Sequence, residues 1–425
     1  MSRKFRLKKE LGLRDTTLYG IGIILGAGIY ALLGSGAAIT GNSIWLSFVL
    51  AAFIATLTGL SYAELSSMYP KEAAEYNYTK NAFRKRGLAF IIGWILIVSA
   101  ILSASTVALG FAGYFSHLFG GNILVISAVL LVILSIMNYR GIKESARFNS
   151  ISTVIEAAGL VIIIAAGIWF FGRAGPVDFF EMNNGIFGII SATALIFFAY
   201  IGFEDVANIS EETKNARKVV PKALVLSILI STVLYIAVSV AAVSIAGSER
   251  LASSNAPLTE VMSSVLPEAG VIMSIIALFA TSNTVLILLV VASRMMYGIS
   301  CQRDLPRRFS RICKRGTPVY SVMVTGIVAL LGLLIGGIET VALFTTVGIF
   351  IAYFFVNASL IHLRYTKPKA KRPFKVPLNI GKFPAVSALG AVTCAAMLLY
   401  FDVQILLMEA AVIAAGVLLY KAMRR

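Results

Sequence analysis

Residues 20–30 of this chain read GIGIILGAGIY, an apolar stretch that contains four glycines. Each glycine weakens a helix by about 1 kcal/mol relative to alanine. One explanation is close packing, because small residues let membrane helices approach one another. Gly26 and Gly28, however, are two residues apart and point to different helix faces. This spacing favours a helix with an unwound segment over a packing stripe.

A second apolar stretch, residues 197–208, reads FFAYIGFEDVAN. Its glycine is soon followed by two acids and an amide. A charged side chain at the centre of a bilayer costs about 2.5–3.5 kcal/mol on insertion scales, and it is tolerated where it faces a polar cavity or unpaired backbone groups. This stretch is therefore also predicted to be an interrupted helix.

Long apolar blocks surround these two stretches. Of the 425 residues, 58% are hydrophobic and 13% are charged, against about half and a quarter in soluble domains. A block of about 20 apolar residues spans a bilayer as a helix. We predict an all-α integral membrane protein with about twelve spans, near residues 16–38, 43–65, 88–117, 122–139, 149–172, 186–211, 219–247, 269–300, 317–336, 340–363, 383–401 and 403–420.

The net charge of +17 is distributed unevenly. All of the 37 Lys and Arg residues except Arg173 and Arg250 lie at the termini or in and around alternate connections between spans. Basic residues favour cytoplasmic loops, so both termini are predicted to be cytoplasmic. The same distribution argues against nucleic-acid binding. Cys301 and Cys313 fall on the cytoplasmic side, where thiols stay reduced.

The two interrupted spans are the first members of two consecutive sets of five. A set with an odd number of spans enters the membrane in the opposite orientation the second time. Interrupted segments at matching positions of two halves indicate a transporter binding site. We predict a five-plus-five inverted repeat with broken helices 1 and 6, divided into a cytoplasmic N-terminal segment (1–15), a first repeat (16–172), a second repeat (186–363), two peripheral helices (383–420) and a cytoplasmic tail (421–425).

Three groups of residues carry a family resemblance. Residues 26–30 read GAGIY; residues 198–204 read FAYIGFE, with SEETKN at 210–215; and residues 292–297 read ASRMMY, followed by DLP at 304–306 and GTP at 316–318. In this order and spacing they resemble the amino acid–polyamine–organocation transporters over residues 8–380. Ala216 stands where that family usually has proline. The resemblance implies the same five-plus-five fold and an amino acid as substrate.

An unwound helix suits an amino acid zwitterion. Its second half presents free N–H groups and a partial positive charge to a carboxylate, and its first half presents free carbonyls to an ammonium. The family pattern places the carboxylate on the N–H groups of Ala27, Gly28 and Ile29. It places the ammonium on carbonyls of helix 1 and helix 6. The substrate-binding residues implied are Ile24, Gly26, Ala27, Gly28, Ile29, Phe198, Ile201 and Glu204.

Several of these positions have a second explanation. Phe198 matches an aromatic that closes over the substrate in relatives, although a core or lipid-facing aromatic would look the same. Glu204 matches an acid linked to substrate binding or proton sensing, but a carboxyl capping the second half of the helix fits equally. Asp205 has the same capping explanation. Glu212, after the span, is expected to pair with nearby Lys214, Arg217 or Lys218.

Span 5 contains Glu156 where the resemblance implies a lysine in many proton-coupled relatives. Thr281 and Ser282 match hydroxyls that line a sodium-type site in sodium-coupled relatives. In lipid, Ser and Thr also commonly bond to their own helix carbonyls, and Glu156 could be an acid near a helix end. We predict that Glu156, Thr281 and Ser282 set the ion coupling, with protons as the coupled ion. Sodium coupling and uncoupled exchange are the alternatives.

These observations predict a secondary active transporter of amino acids in the cytoplasmic membrane, with no cofactor or metal and with lipid as its surroundings. An exchanger of amino acids, amines or polyamines is the alternative. The only two histidines, His117 and His362, are far apart, which argues against an enzyme. A channel would need a continuous polar pore. Span 3 offers hydroxyls at Ser99 and its neighbours but no acid, which favours neutral substrates, with Glu204 as the counter-argument.

Overall fold

The computed structural model describes residues 9–171, 176–254, 256–313, 316–334 and 338–423. Within them the chain is a bundle of α-helices. The helices are α1 Leu13–Ile24, α2 Ala27–Thr40, α3 Ile44–Met68, α4 Ala74–Phe83, α5 Arg86–Phe119, α6 Ile123–Arg140, α7 Ile142–Phe170, α8 Gly185–Ile196, α9 Asp205–Asn208, α10 Ala216–Ser253, α11 Pro257–Val265, α12 Pro267–Cys301, α13 Val319–Gly332, α14 Ile338–Thr366, α15 Ala385–Met397 and α16 Val403–Ala422.

The described residues include nine helical stretches long and apolar enough to cross a membrane, with shorter apolar helices at Val319–Gly332 and Ala385–Tyr400. This confirms the predicted all-α, multi-span class. The first predicted span is divided into α1 and α2, of 12 and 14 residues, and each is shorter than the roughly 20 residues that a full crossing needs. The count of twelve spans and the inverted repeat stay predictions.

The helices differ in how deeply they lie in the bundle. α12 packs along α5 at the centre, and α10 packs along α3. In its most apolar window α12 is 83% buried, whereas α16 is 17% buried. The apolar side chains that α6 and α16 leave exposed are suited to lipid, and the inner helices can therefore carry polar groups for a site.

Two short helices interrupt segments predicted as simple connections. α4 lies between α3 and α5, and α11 lies between α10 and α12. α4 packs against α5 and α14, while α11 packs against α12 and α10. Neither is long enough to span a membrane, and neither has the length of apolar sequence on which the span prediction depended.

The basic connections meet at one end of the bundle. Glu10 pairs with Lys143, and the backbone N–H of Glu10 donates to the carbonyl of Glu212. Asp304 pairs with Arg86. This clustering is what the alternating charge distribution predicts, although the side of the membrane stays a prediction. Some of the predictions fall outside the described residues. They concern residues 1–8 of the N-terminal segment, the end of the first repeat at 172, Arg173, and residues 424–425 of the tail.

At the same end, a buried carboxylate fixes the connection between α14 and α15. Glu64 of α3 is ion-paired to Arg364 at 2.6 Å and to Arg372 at 3.0 Å, and it accepts the backbone N–H of Val376 at 2.9 Å. Beyond this clamp the chain forms a two-stranded antiparallel hairpin, β1 Asn379–Ile380 and β2 Phe383–Pro384.

Candidate functional site

The first helix break lies between α1 and α2. Leu25 and Gly26 separate them, and Gly26 is the residue at which α2 begins to wind. The first N–H groups of a helix have no partner within it and carry a partial positive charge. One of these N–H groups has a partner from another helix, since the N–H of Ala27 donates to Thr284 Oγ1 of α12 at 3.1 Å. A Cβ on Gly26 would overlap that hydroxyl.

The second break follows α8. A 3₁₀ turn, Phe197–Tyr200, leads into a short non-helical stretch before α9. Gly202 has φ +118° and lies against Ile23 of α1, a backbone conformation that glycine adopts without a steric penalty. The carboxylate of Glu204 accepts the Gly202 N–H at 2.9 Å and the Tyr353 hydroxyl at 2.5 Å. Both predicted interruptions are therefore present.

The two breaks contact each other directly. A Cβ on Gly28 would overlap Ala199 of the 3₁₀ turn. The hydroxyl of Tyr235, from α10, lies between two carbonyls, donating to that of Ile24 on one side or to that of Ala199, 3.0 Å away, on the other. One O–H proton serves one acceptor at a time, so one of these carbonyls is short of a donor. Sequence reasoning missed Tyr235.

Between the breaks lies a small central cavity with about 40 Å³ of free space, enough for a few water molecules. Among the predicted substrate residues, those that line it are Ile24, Ala27, Gly28, Phe198, Ile201 and Glu204. Gly26 and Ile29 do not line it. The opposite wall is formed by α5, α12 and α14, and it includes Ser99, Thr284 and Thr345.

A second, larger space opens at the end of the bundle away from the basic connections; we call it the vestibule. Phe198 and Ala27 line both the vestibule and the central cavity. The charged side chains among its described lining residues are Glu260 and Glu339. Phe198 thus lies at the boundary that a solute passing between the two spaces must cross.

The other side of the cavity is closed by buried polar contacts. Glu75 of α4 accepts the Tyr62 hydroxyl at 3.0 Å and the side-chain amide of Asn208 at 3.3 Å. Burial raises the pKa of Glu75 to about 7, and its hydrogen bonds oppose that rise. Glu75 lies on a helix that the span prediction missed, so sequence reasoning did not place it at the site.

Glu212 has a different partner from the one predicted. It pairs with Arg294 of α12 at 3.4 Å, with both side chains buried, and not with Lys214, Arg217 or Lys218, which follow it in sequence. Arg294 also donates to Asn138 at 2.7 Å. Burial raises the pKa of Glu212, and the neighbouring guanidinium opposes that rise. The prediction failed because it considered only nearby residues, whereas a buried arginine requires an anion.

The predicted ion-coupling residues are only partly brought together. Glu156 of α7 is fully buried, and its Oε1 accepts the side-chain amide of Asn283 at 3.2 Å. The Asn283 amide also donates to the Gly22 carbonyl at 3.3 Å. The hydroxyls of Thr281 and Ser282 instead donate to carbonyls of their own helix. Asn283 was missed, although an amide within an apolar span is a detectable signal.

Comparison with known proteins gives one family. A family model described as "Amino acid permease" matches residues 11–417. A branched-chain amino acid permease of Bacillus subtilis is 32% identical over 92% of this chain and 88% of its own length. A methylthioribose transporter of the same organism is 31% identical, over 91% and 88%. A mitochondrial cationic amino acid transporter of Arabidopsis thaliana is 30% identical, over 88% and 64%.

Proposed function

Because this chain belongs to the amino acid permease family, we propose that it carries amino acids across the cytoplasmic membrane by alternating access, coupled to protons. The observation that carries the proposal is the central cavity between two helix breaks. Backbone polar groups face each other there with few partners of their own. A zwitterion needs this combination of donors and acceptors, and no buried ion has to supply it.

The substrate carboxylate would bind at the start of α2. Gly28 lines the cavity, and the N–H of Ala27 would exchange its bond to Thr284 for a stronger one to a charged oxygen. The ammonium would bind the carbonyls of Ile24, Phe198 and Ile201. The Ile24 and Phe198 carbonyls already accept one bond each, but a carbonyl oxygen has two lone pairs.

The asymmetry of the two ends supports alternating access. The vestibule leads to Phe198, whereas Glu75 with its partners and the Glu212–Arg294 pair close the opposite end. Transport would require Phe198 to close over the substrate and these buried polar contacts to separate. The basic connections favour a cytoplasmic location for the closed end and for both termini. Tags at the two termini that report the cytoplasm would support this orientation.

Glu156 is the proposed proton carrier. A buried carboxylate without a cation nearby is costly unless it is protonated or binds an ion. Asn283 can serve Glu156 in both of its protonation states. Its NH₂ group donates to the ionised carboxylate, and its oxygen, which has no partner among the described residues, could accept from the protonated carboxyl. Sodium is the alternative, because the hydroxyls of Thr281 and Ser282 donate their protons within their helix and keep oxygen lone pairs that could bind a cation.

The test is uptake into liposomes under an inward proton gradient, an inward sodium gradient or neither. We expect the proton gradient to drive accumulation in the wild type, and Glu156→Gln to lose this drive while keeping exchange. Thr281→Val is the matched control and should behave as wild type. Accumulation driven by sodium and lost in Thr281→Val would establish a sodium symporter. Exchange without any driven accumulation would establish an exchanger.

A further inference from the structure

An open pocket lies at the end of the bundle opposite the vestibule; we call it the basic pocket. It has about 860 Å³ of free space, within the range of about 300–1,000 Å³ typical of small-molecule sites. Three segments that are far apart in sequence line it: the residues before α1, the connection between α3 and α4, and the connection from α9 into α10. The pocket is therefore formed by the fold and not by one stretch of chain.

The basic pocket has more positive than negative charge. Four basic side chains, those of Lys9, Lys71, Arg217 and Lys218, line it together with one acidic side chain, that of Glu211. All four basic residues are exposed, and none forms an ion pair with another described residue. All 20 Asp and Glu residues of the chain lie within the described residues. No acidic side chain elsewhere in the chain can therefore supply the missing partners.

The start of α10 adds backbone donors to the same pocket. α10 begins at Ala216, and the side chain of its N-cap residue, Asn215, accepts no hydrogen bond from the first turn. The first N–H groups of a helix have no partner within it and carry a partial positive charge, which suits phosphate oxygens. Ala216, Arg217 and Lys218 of this turn all line the pocket. Side chains and backbone thus favour the same ligand, an anion with several oxygens.

The pocket joins the segments that close this end of the bundle. The Glu211 N–H donates to Glu72 Oε1 at 3.2 Å, which ties the connection into α10 to the residues before α4. The Lys214 N–H donates to the Leu11 carbonyl at 2.8 Å, which ties the same connection to the residues before α1. The basic side chains of these segments repel one another unless an anion lies between them. An anion in the pocket would therefore strengthen the closed arrangement.

We propose that the basic pocket binds a phosphate-bearing anion, either a soluble polyphosphate or the headgroup of an anionic lipid, and that the bound anion holds this end of the bundle closed. The phosphate oxygens bind Lys71, Arg217 and the first turn of α10 through charge-assisted hydrogen bonds. Lys9 adds positive charge from the side of α1. Binding is independent of what the protein transports, whereas the effect on transport rests on the proposed alternating access.

Calorimetry on the purified full chain, at about 0.15 M salt, measures the binding of inorganic triphosphate. The double variant Lys71→Gln/Arg217→Gln should bind it about tenfold or more weakly, because two charge-assisted contacts are lost. Lys222→Gln removes another exposed basic side chain of α10, one that does not line the pocket, and should change binding by less than about twofold. Absence of binding to the wild type, or equal losses in the double variant and the control, would overturn the site.

Folding of the double variant is checked by its Tm without triphosphate. If it is unstable, Lys9→Gln decides in its place, because Lys9 precedes the first helix. Lys9→Gln should weaken triphosphate binding by about threefold or more, and unchanged binding in this variant would overturn the site.

Uptake of a mixture of radiolabelled amino acids into phosphatidylcholine liposomes tests the effect on transport. Triphosphate on the side of the basic pocket should slow wild-type uptake by at least about twofold, and the double variant should lose this inhibition. Triphosphate that binds without slowing uptake would overturn the closure of this end. Absence of uptake under every condition would overturn the proposed transport, while calorimetry would still decide the anion site.

The lipid composition distinguishes the two sources of phosphate. Phosphatidylglycerol added to the liposomes should slow uptake in the wild type and not in the double variant if the headgroup of a lipid is the ligand. It should also weaken the further effect of triphosphate. Inhibition by triphosphate that phosphatidylglycerol neither reproduces nor weakens would identify a soluble phosphate compound as the ligand.

Discussion

Both helix breaks leave backbone polar groups without partners in their own helix, and the two breaks supply those partners differently. The first, at Leu25 and Gly26, has no charged side chain, and the partners of its Ala27 N–H and Ile24 carbonyl, Thr284 and Tyr235, come from other helices. The second contains an acid of its own, since Glu204 accepts the N–H of Gly202 two residues before it, and it is also tied to α14 through the Tyr353 hydroxyl on Glu204. We infer that the first break depends more strongly on how the neighbouring helices are placed.

A larger side chain at the point where the two breaks touch should have the largest effect on uptake. Gly28→Val places a side chain against the backbone of Ala199 and over the N–H groups of α2. A shift of about 1 Å in a binding geometry can cost a hundredfold, so we expect uptake to fall at least about 100-fold. Gly113→Val is the control, because a Cβ at Gly113 meets nothing within 4 Å. Wild-type substrate affinity in Gly28→Val would refute carboxylate binding at this site.

The Tyr235 hydroxyl, which lies between the carbonyls of Ile24 and Ala199, forms a bridge between the two breaks. Removing this bridge should have the next largest effect, on substrate affinity. Tyr235→Phe removes the only donor that we find for the carbonyls of Ile24 and Ala199 among side chains of the described residues. Leaving buried carbonyls unpaired costs about 1–3 kcal/mol, so substrate affinity should change about tenfold. Tyr200→Phe loses one bond to Phe48 on α3 and should change affinity much less. Equal effects of the two variants would mean that the bridge has no special role.

Glu75, which accepts the side-chain amide of Asn208 after the second break, should make the stability of the protein depend on pH. The folded-state pKa of Glu75 is about 7, above the unfolded value of about 4.3. The folded state therefore binds this proton more tightly, and its contribution to stability is present at low pH and lost as pH rises through 7. We expect Tm to be lower at pH 8 than at pH 5.5.

Glu75→Gln should reduce that fall in Tm by about 2–4 °C. Glu268→Gln removes an exposed acid and is the control, with an unchanged fall. A fall in Tm that is the same in Glu75→Gln as in wild type would show that other groups carry the pH dependence.

The smallest effect is expected at Thr284. Thr284→Val removes the acceptor of the Ala27 N–H. Because Ala27 lines the cavity, water or the substrate carboxylate can accept the freed N–H, so affinity should change by only about two- to threefold. Thr325→Val, which loses a bond within its own helix, is the matched control. A loss as large as that of Tyr235→Phe would mean that Thr284 fixes the shape of the first break.

Local sequence signals account for what could be predicted. The glycines of residues 20–30 and the acids of residues 197–208 indicated both breaks, because a helix is weakened by residues within one or two turns. The apolar blocks similarly indicated the membrane class. Six of the predicted substrate residues line one cavity, since they belong to the two breaks themselves.

The partners of those residues could not be predicted in the same way. Tyr235 is 211 residues from Ile24 along the chain, and Thr284 is 257 residues from Ala27. No periodicity or spacing encodes such contacts, which depend on how helices pack. The short helix α4 was missed for a related reason, because its ten residues are held by packing on α5 and α14 and not by a long apolar sequence.

The hairpin between α14 and α15 has a practical consequence for imaging. Gly381 forms its tip, with nothing within 4 Å of a side chain placed there, while the strands on both sides stay paired and α15 begins at Ala385. Exposed tips of this kind tolerate inserted domains. A small folded domain spliced after Gly381 would be joined through two adjacent strands and would project from the bundle. It would give electron microscopy a rigid marker on a chain that otherwise lies largely within a detergent micelle.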